Sequence, residues 1–222
     1  VHDRARDKGR FFTFNCGAGY DMIQVMIGSE RLLIAIAEDP EWVRDIMKTL
    51  TDLIIAVSEE MMSVFKFDGV FFYDDMGYRN ASLFSPKAYK EIFFPYHKKA
   101  WGFFNGKGLP VILHSCGCVK GLIPMFIEAG LTCLQPLEVK AGMDLIELKK
   151  NYGEKLAFMG GIDVRKMSNP DPEVIEEEIK TKVTFAKKGG GYIYHSDHSV
   201  PDDISFSQYC RVIDLVHKYG SY

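Results

Sequence analysis

A histidine and a cysteine two residues apart, His114 and Cys116, form the most chemically distinctive pair in this sequence. Side chains at positions i and i+2 of an extended segment point to the same side. A neutral imidazole and a thiolate there can bind one tetrahedral zinc ion, which takes nitrogen and sulfur ligands. The alternative is that His114 caps a strand and Cys116 packs as a small apolar residue. A zinc site needs a third ligand, which His195 or His198 could supply.

Acidic and basic side chains stand at other strand ends. Asp74 and Asp75 close one predicted strand, and because adjacent strand residues point in opposite directions, only one is expected to face the site. The other would cap the following loop. Asp163 either caps a helix or contacts substrate. Arg79 is the cationic residue nearest to these acidic groups and could bind an anionic substrate group, although a solvated surface arginine is the simpler interpretation.

Six short apolar segments bounded by Gly or Pro are the predicted strands, and helix-like segments separate them. They are continuously apolar, as expected for strands buried on both faces of a parallel sheet. The predicted strands are 10–15, 69–73, 110–114, 132–136, 156–159 and 191–194. Three helix starts are marked by a capping side chain followed by proline, at Asp39-Pro40, Ser85-Pro86 and Asp171-Pro172. Gly130 and Gly153 stand where a left-handed helix end is expected.

Each predicted strand runs into polar residues, among them Gln135 at the end of the fourth strand and His195 after the sixth. In a (β/α)8 barrel all carboxyl ends of the strands converge on one rim. A doubly wound sheet would gather only a few of them at its switch point, and no G-x-G-x-x-G follows the first strand. The sequence therefore predicts an α/β fold of the barrel type, as one domain over 1–222.

The composition excludes several classes of protein. The 222 residues carry a formal net charge of −3, with 47% hydrophobic and 26% charged residues, which is typical of a globular domain. The near-neutral balance argues against nucleic-acid binding. The longest apolar run, 32–37, is too short to cross a bilayer. Five cysteines, an odd number, indicate thiols or metal ligands in a reducing compartment. We therefore expect a cytoplasmic protein.

Taken together, these segments resemble the uroporphyrinogen decarboxylase superfamily, and within it the zinc methyltransferase branch that moves methyl groups between corrinoid proteins and thiols such as coenzyme M. The resemblance covers nearly the whole chain in order. The matching segments are 71–77 (FFYDDMG), 85–86 (SP), 110–117 (PVILHSCG), 127–130 (IEAG), 158–163 (FMGGID) and 189–192 (GGGY). It implies a (β/α)8 barrel of the TIM type with about six of the eight units here and the N-terminal two missing. The start at Val1, inside a charged stretch, fits that expectation of a fragment.

The resemblance also implies roles for the site residues. The methyltransferases hold zinc with an H-x-C motif, matched by His114 and Cys116, and with a cysteine beyond the last strand, where this sequence has His198. The fourth position would take a thiol or related acceptor, or an acidic side chain in the resting state. The partners implied are a corrinoid protein and a small thiol, with a homodimer as one possible assembly. The other pocket residues implied are Asp75 and Asp163 as catalytic groups, and Tyr73, Asp74, Arg79, Gln135 and His195 as substrate-binding groups.

Two alternatives stay open. The decarboxylases of the superfamily have a histidine near position 198, so a metal-free porphyrinogen carboxy-lyase is possible. They lack His and Cys in the 110–117 segment, however, and the tyrosine they use aligns with Val25 here. The second alternative is a non-catalytic relative that binds a corrinoid or tetrapyrrole.

Overall fold

A computed structural model describes residues 7–221 as a six-stranded parallel sheet with helices between the strands. The strands are β1 (Thr13–Cys16), β2 (Gly69–Tyr73), β3 (Val111–His114), β4 (Cys133–Gln135), β5 (Ala157–Met159) and β6 (Tyr192–Ile193). They pair in chain order, and within the described residues β1 and β6 are unpaired edges, so the sheet is not closed. The strand order therefore does not reverse within the sheet, as it does at the switch point of a doubly wound fold. The α/β prediction and all six predicted strands are confirmed, while the two further units stay a prediction.

Nine α-helices of four or more residues are found among residues 7–221. They are α1 (Tyr20–Ile27), α2 (Ser29–Glu38), α3 (Pro40–Val64), α4 (Phe94–Gly106), α5 (Ile123–Glu128), α6 (Leu145–Tyr152), α7 (Val164–Met167), α8 (Pro172–Ala186) and α9 (Phe206–Gly220). A helical turn (Pro86–Ala88) and a π-helical turn (Tyr89–Phe93) lead directly into α4. None of the helices in this part of the chain is both long and apolar enough to cross a bilayer.

The predicted helix starts are confirmed at the level of single hydrogen bonds. The side chains of Asp39, Ser85 and Asp171 each accept a hydrogen bond from a backbone N–H in the first helical turn. Of the two glycine predictions, one is confirmed and the other is wrong. Gly130 has the expected positive φ of 96°, whereas Gly153 has a φ of −62° and the prediction of a left-handed end was wrong. A Cβ at Gly153 would lie 2.4 Å from the Lys149 carbonyl oxygen, so glycine is required there by lack of space.

Side chains alternate between the two faces of the sheet. Val70, Phe72 and Asp74 point toward the helices and are fully buried. Phe71 and Tyr73 point to the opposite, concave face, where Tyr73 is 43% exposed because the sheet is open. On the helix side the Trp101 ring of α4 meets the Phe72 ring edge-on, with 5.9 Å between the centroids. This packing holds α4 against β2. It thereby helps to orient the residues at the end of β2.

Candidate functional site

Strands β2 and β3 deliver three potential metal ligands to one point. Their register pairs Tyr73 with His114, and Asp75 and Cys116 then follow on the same concave side. The donor atoms of Asp75, His114 and Cys116 all lie within 4.8 Å of one another. His114 Nε2 is 3.4 Å from Cys116 Sγ and 3.5 Å from Asp75 Oδ1.

The spacing of these atoms fits a zinc ion. Ligands bound tetrahedrally at about 2.0–2.3 Å stand roughly 3.3–3.8 Å from one another. The two measured separations fall inside that interval. Imidazole nitrogen, thiolate sulfur and carboxylate oxygen are all ligands that zinc accepts, and three protein ligands with one open position are the catalytic arrangement. The donor set therefore suits a metal that also binds a substrate atom.

Neighbouring groups orient the three donors. Gln135 Oε1, at the end of β4, accepts a hydrogen bond from His114 Nδ1–H, which leaves the lone pair of Nε2 directed at Asp75 and Cys116. The Cys116 backbone N–H donates to Asp75 Oδ1 at 2.7 Å. Partners of this kind fix the tautomer and the ring direction of a metal-binding histidine. Three adjacent strands thus contribute to one geometry.

Electrostatics in the cluster favour a bound cation. Burial raises the pKa of the Cys116 thiol to about 12, and the negative charges of Asp75 and Glu138 add to the increase. The thiol is therefore protonated at neutral pH when no cation is present. A divalent ion in contact with the sulfur reverses this preference, because a coordinating thiol loses its proton.

Asp21, at the start of α1, is an ionisable group near the cluster that the sequence analysis did not identify. Burial raises the pKa of its carboxyl, with further contributions from Asp75 and Asp74, whereas His114 acts in the opposite direction. Asp21 lies five residues beyond the end of β1. Only the parallel pairing of β1 with β2 brings it near Asp75, and no local motif in the sequence indicates this.

Asp74, expected to bind substrate, is instead fully buried on the helix side of the sheet. Its Oδ1 accepts a hydrogen bond from the Asp21 backbone N–H at 2.8 Å, and its Oδ2 is 3.1 Å from His97 Nε2. The alternation of strand side chains explains the difference, because Asp75 takes the concave side and Asp74 must then point away from it. Asp74 therefore supports the β1–α1 connection and lies outside the cavity.

A cavity of about 680 Å³ opens beside the cluster, between β3, β4, the loop after β6 and α9. Its walls include His114, Cys116 and Gln135, together with His195 and His198 from the loop. His198 is exposed, and among the described residues it is not part of the group of donor atoms around Cys116, where Asp75 takes the third place. Its role as a metal ligand stays a prediction.

Three other predicted site residues, Tyr73, Arg79 and Asp163, are not among the described residues that line this cavity. Arg79 lines a separate cavity of about 560 Å³, which Cys116 also borders. The Tyr73 ring lies 5.5 Å from the His114 ring, centroid to centroid. Asp163 caps α7 and pairs with the Arg165 guanidinium at 2.7 Å, so its carboxylate is directed at its own loop and the capping alternative describes its position.

Comparisons with known proteins agree with this architecture. Residues 12–219 match the sequence model of the family described as uroporphyrinogen decarboxylase (URO-D). The uroporphyrinogen decarboxylase of Proteus mirabilis (strain HI4320) is 26% identical over 114 residues, which are 51% of this chain and 30% of that protein. That of Actinobacillus pleuropneumoniae serotype 5b (strain L20) is 24% identical over 187 residues, 82% of this chain and 50% of that protein.

Among solved structures, a methyltransferase from Methanosarcina mazei superposes with a TM-score of 0.72 at 16% identity, covering 98% of this chain and 62% of that protein. At this identity the likeness establishes the shared fold. The alignments with these two curated relatives span half of their length or less.

Proposed function

Since the chain belongs to the uroporphyrinogen decarboxylase (URO-D) family, we propose that it acts as a zinc-dependent methyltransferase, moving a methyl group between a corrinoid protein and a thiol or related acceptor. The observation that carries this proposal is the cluster of Asp75, His114 and Cys116 donor atoms beside the large cavity. Methyl transfer to a thiol requires a thiolate, and the cluster is suited to a metal that would generate one.

In this proposal Asp75, His114 and Cys116 would hold the zinc ion, which when bound supplies the positive charge that lowers the pKa of a thiol ligand. Gln135 keeps His114 Nε2 directed at the site through its bond to Nδ1–H. The Cys116 N–H holds the Asp75 carboxylate in place. We retain His198 as a further ligand, and Asp75 would be the acidic side chain that holds the ion in the resting state.

The cavity residues would bind and orient the substrate. Gln135 and His195 line the larger cavity, in which the methyl donor would be presented by a docked corrinoid protein. Arg79, in the second cavity, would bind an anionic group of the acceptor. Asp163 would act indirectly, by holding the loop after β5.

A metal-free carboxy-lyase is the second candidate, and one specific observation favours it. The two curated relatives compared above are named uroporphyrinogen decarboxylases. In that case His114 and Cys116 would be dispensable, and the larger cavity would bind a tetrapyrrole.

The zinc content of protein purified without added metal tests the proposal. We expect about one zinc per chain. The zinc should be lost in Cys116→Ala and in His114→Ala, because each substitution removes a proposed direct ligand. Cys210→Ala is the matched control, since Cys210 is an exposed cysteine on α9 and its loss should leave zinc in place. Absence of zinc from a well-folded sample would refute the metal-dependent mechanism, and turnover of uroporphyrinogen by Cys116→Ala would establish the carboxy-lyase.

A further inference from the structure

Asp197 lies between His195 and His198 in the loop after β6, yet it is turned away from the cavity. It is 2% exposed. Its Oδ1 accepts a hydrogen bond from the Val164 backbone N–H and its Oδ2 accepts one from the Val139 backbone N–H, both at 2.9 Å. Its own N–H donates to the Ile162 carbonyl at 2.8 Å. One carboxylate therefore joins the loops that follow β4, β5 and β6.

A second buried carboxylate, Glu138, continues this connection to the metal ligands. Glu138 directly precedes Val139 and is 7% exposed. Its Oε2 accepts a hydrogen bond from the Gly117 backbone N–H at 2.7 Å, and its Oε1 pairs with Lys140 at 2.9 Å. Gly117 is the residue after Cys116, so the loop after β4 holds the turn that carries the cysteine.

We infer that Asp197 is a positioning residue for the metal site, acting on Cys116 through Val139, Glu138 and Gly117. The same carboxylate fixes the loop on which His195 and His198 face the cavity. We call Asp197 and Glu138 the carboxylate clamp. The part of this inference that concerns a metal rests on the proposed function, whereas the part that concerns the position of Cys116 does not.

The chemistry of the two contacts requires a carboxylate at position 197. An ionised carboxylate only accepts hydrogen bonds, so it can serve two backbone N–H groups at once. An asparagine of the same size offers one acceptor oxygen and would place its NH₂ group against the other N–H. Such a loss leaves a buried donor unsatisfied, which destabilises the local arrangement. We therefore expect Asp197→Asn to loosen the turn at Cys116 while the remaining bonds hold the fold.

Two readouts test the inference. Cobalt(II) substituted for zinc reports the Cys116 sulfur through its thiolate-to-metal charge-transfer absorption. In metal-free protein, the rate at which iodoacetamide alkylates Cys116, followed by mass spectrometry of its peptide, reports the position of the turn. In Asp197→Asn we expect about tenfold weaker cobalt binding with an altered absorption band, and severalfold faster alkylation of Cys116. Asp171→Asn is the control, because Asp171 also accepts from a backbone N–H but caps α8.

The outcomes separate this inference from the proposed function. If the wild-type protein binds no cobalt while Asp197→Asn still speeds alkylation, the proposed function fails and the clamp stands. If the wild-type protein binds cobalt and Asp197→Asn matches it in both readouts, the clamp is overturned. Glu138→Met serves if Asp197→Asn does not fold. It removes the acceptor for the Gly117 N–H at nearly unchanged side-chain length, and an alkylation rate equal to wild type in that variant would also overturn the inference.

Discussion

Replacing Gln135 with methionine tests whether the hydrogen bond to His114 Nδ1–H sets the affinity of the proposed metal site. Methionine has nearly the length of glutamine but offers no acceptor of comparable strength, so His114 Nδ1–H loses its partner. Gln135 is 4% exposed, which leaves little room for water to take over that role. The proposed ligands Asp75, His114 and Cys116 stay unchanged, so the variant changes the orientation of His114 without removing a ligand.

The expected magnitude follows from the burial of this bond. Losing a partner of a metal-binding histidine weakens metal affinity by about 10- to 100-fold, which corresponds to about 1.4–2.8 kcal/mol. An unsatisfied buried donor costs about 1–3 kcal/mol, so the two estimates agree. Because Gln135 is almost fully buried, we expect a loss in the upper half of the range. Gln135→Glu retains an acceptor and makes the imidazole more basic, so its affinity should equal or exceed that of wild type.

A competition titration against a chromophoric zinc chelator measures these affinities directly. Urea unfolding of the metal-free proteins shows separately whether Gln135→Met disturbs the fold. A zinc affinity within about threefold of wild type for Gln135→Met, well below the expected loss, would refute the reasoning. It would mean that His114 is held by its place on β3 and not by the Gln135 amide.

Three further predictions concern the fold. Gly117→Ala should destabilise the protein far more than Gly108→Ala, as measured by urea unfolding. For Gly108→Ala the expected loss is about 1–2 kcal/mol. Both glycines have a φ of 75°, but only at Gly117 would a Cβ meet backbone atoms, at 2.4 Å. Asp39→Ala should cost about 1 kcal/mol through loss of the α3 cap, and a cost near zero would contradict that role. Burial raises the pKa of Asp163, but hydrogen bonds from Arg165 outweigh burial and lower the pKa overall. The stabilisation that the ionised Asp163 contributes is therefore full above the ordinary carboxyl pKa and is lost as pH falls through the lowered value. The difference in unfolding free energy between wild type and Asp163→Asn should therefore shrink from about pH 5 to about pH 3, and a constant difference would refute this.

The strands and helix starts could be predicted because their causes are local. A continuous apolar run identifies a strand buried in a parallel sheet, and Asp39-Pro40 identifies a helix start, wherever they lie in the chain. The pair His114 and Cys116 could also be predicted, since strand alternation alone puts both side chains on the same side of the strand.

The rest of the site depends on which strands become neighbours and how loops turn. Alternation states that one of Asp74 and Asp75 faces the site, but only the pairing of β2 with β3 shows that it is Asp75. Glu138 and Asp197 are visible in the sequence as acidic residues after strands. Nothing local indicates that their carboxylates turn inward to backbone N–H groups of other loops. His198 was expected among the ligands because of its place along the chain, and the path of its loop determines where it lies.

The origin of the three donors in neighbouring strands has a consequence for the order of assembly during folding. Asp75 and Cys116, which share a hydrogen bond, are 41 residues apart in sequence, whereas the contact of Asp197 with Val139 spans 58 residues and needs β6 in place. Contacts that close shorter loops form at a lower entropic cost. The donors can therefore meet once β2 and β3 have paired, whereas the Asp197 contacts of the carboxylate clamp form only when the last strand is in place. The first half of the sheet would thus define which ion is bound, and the second half would define how rigidly it is held.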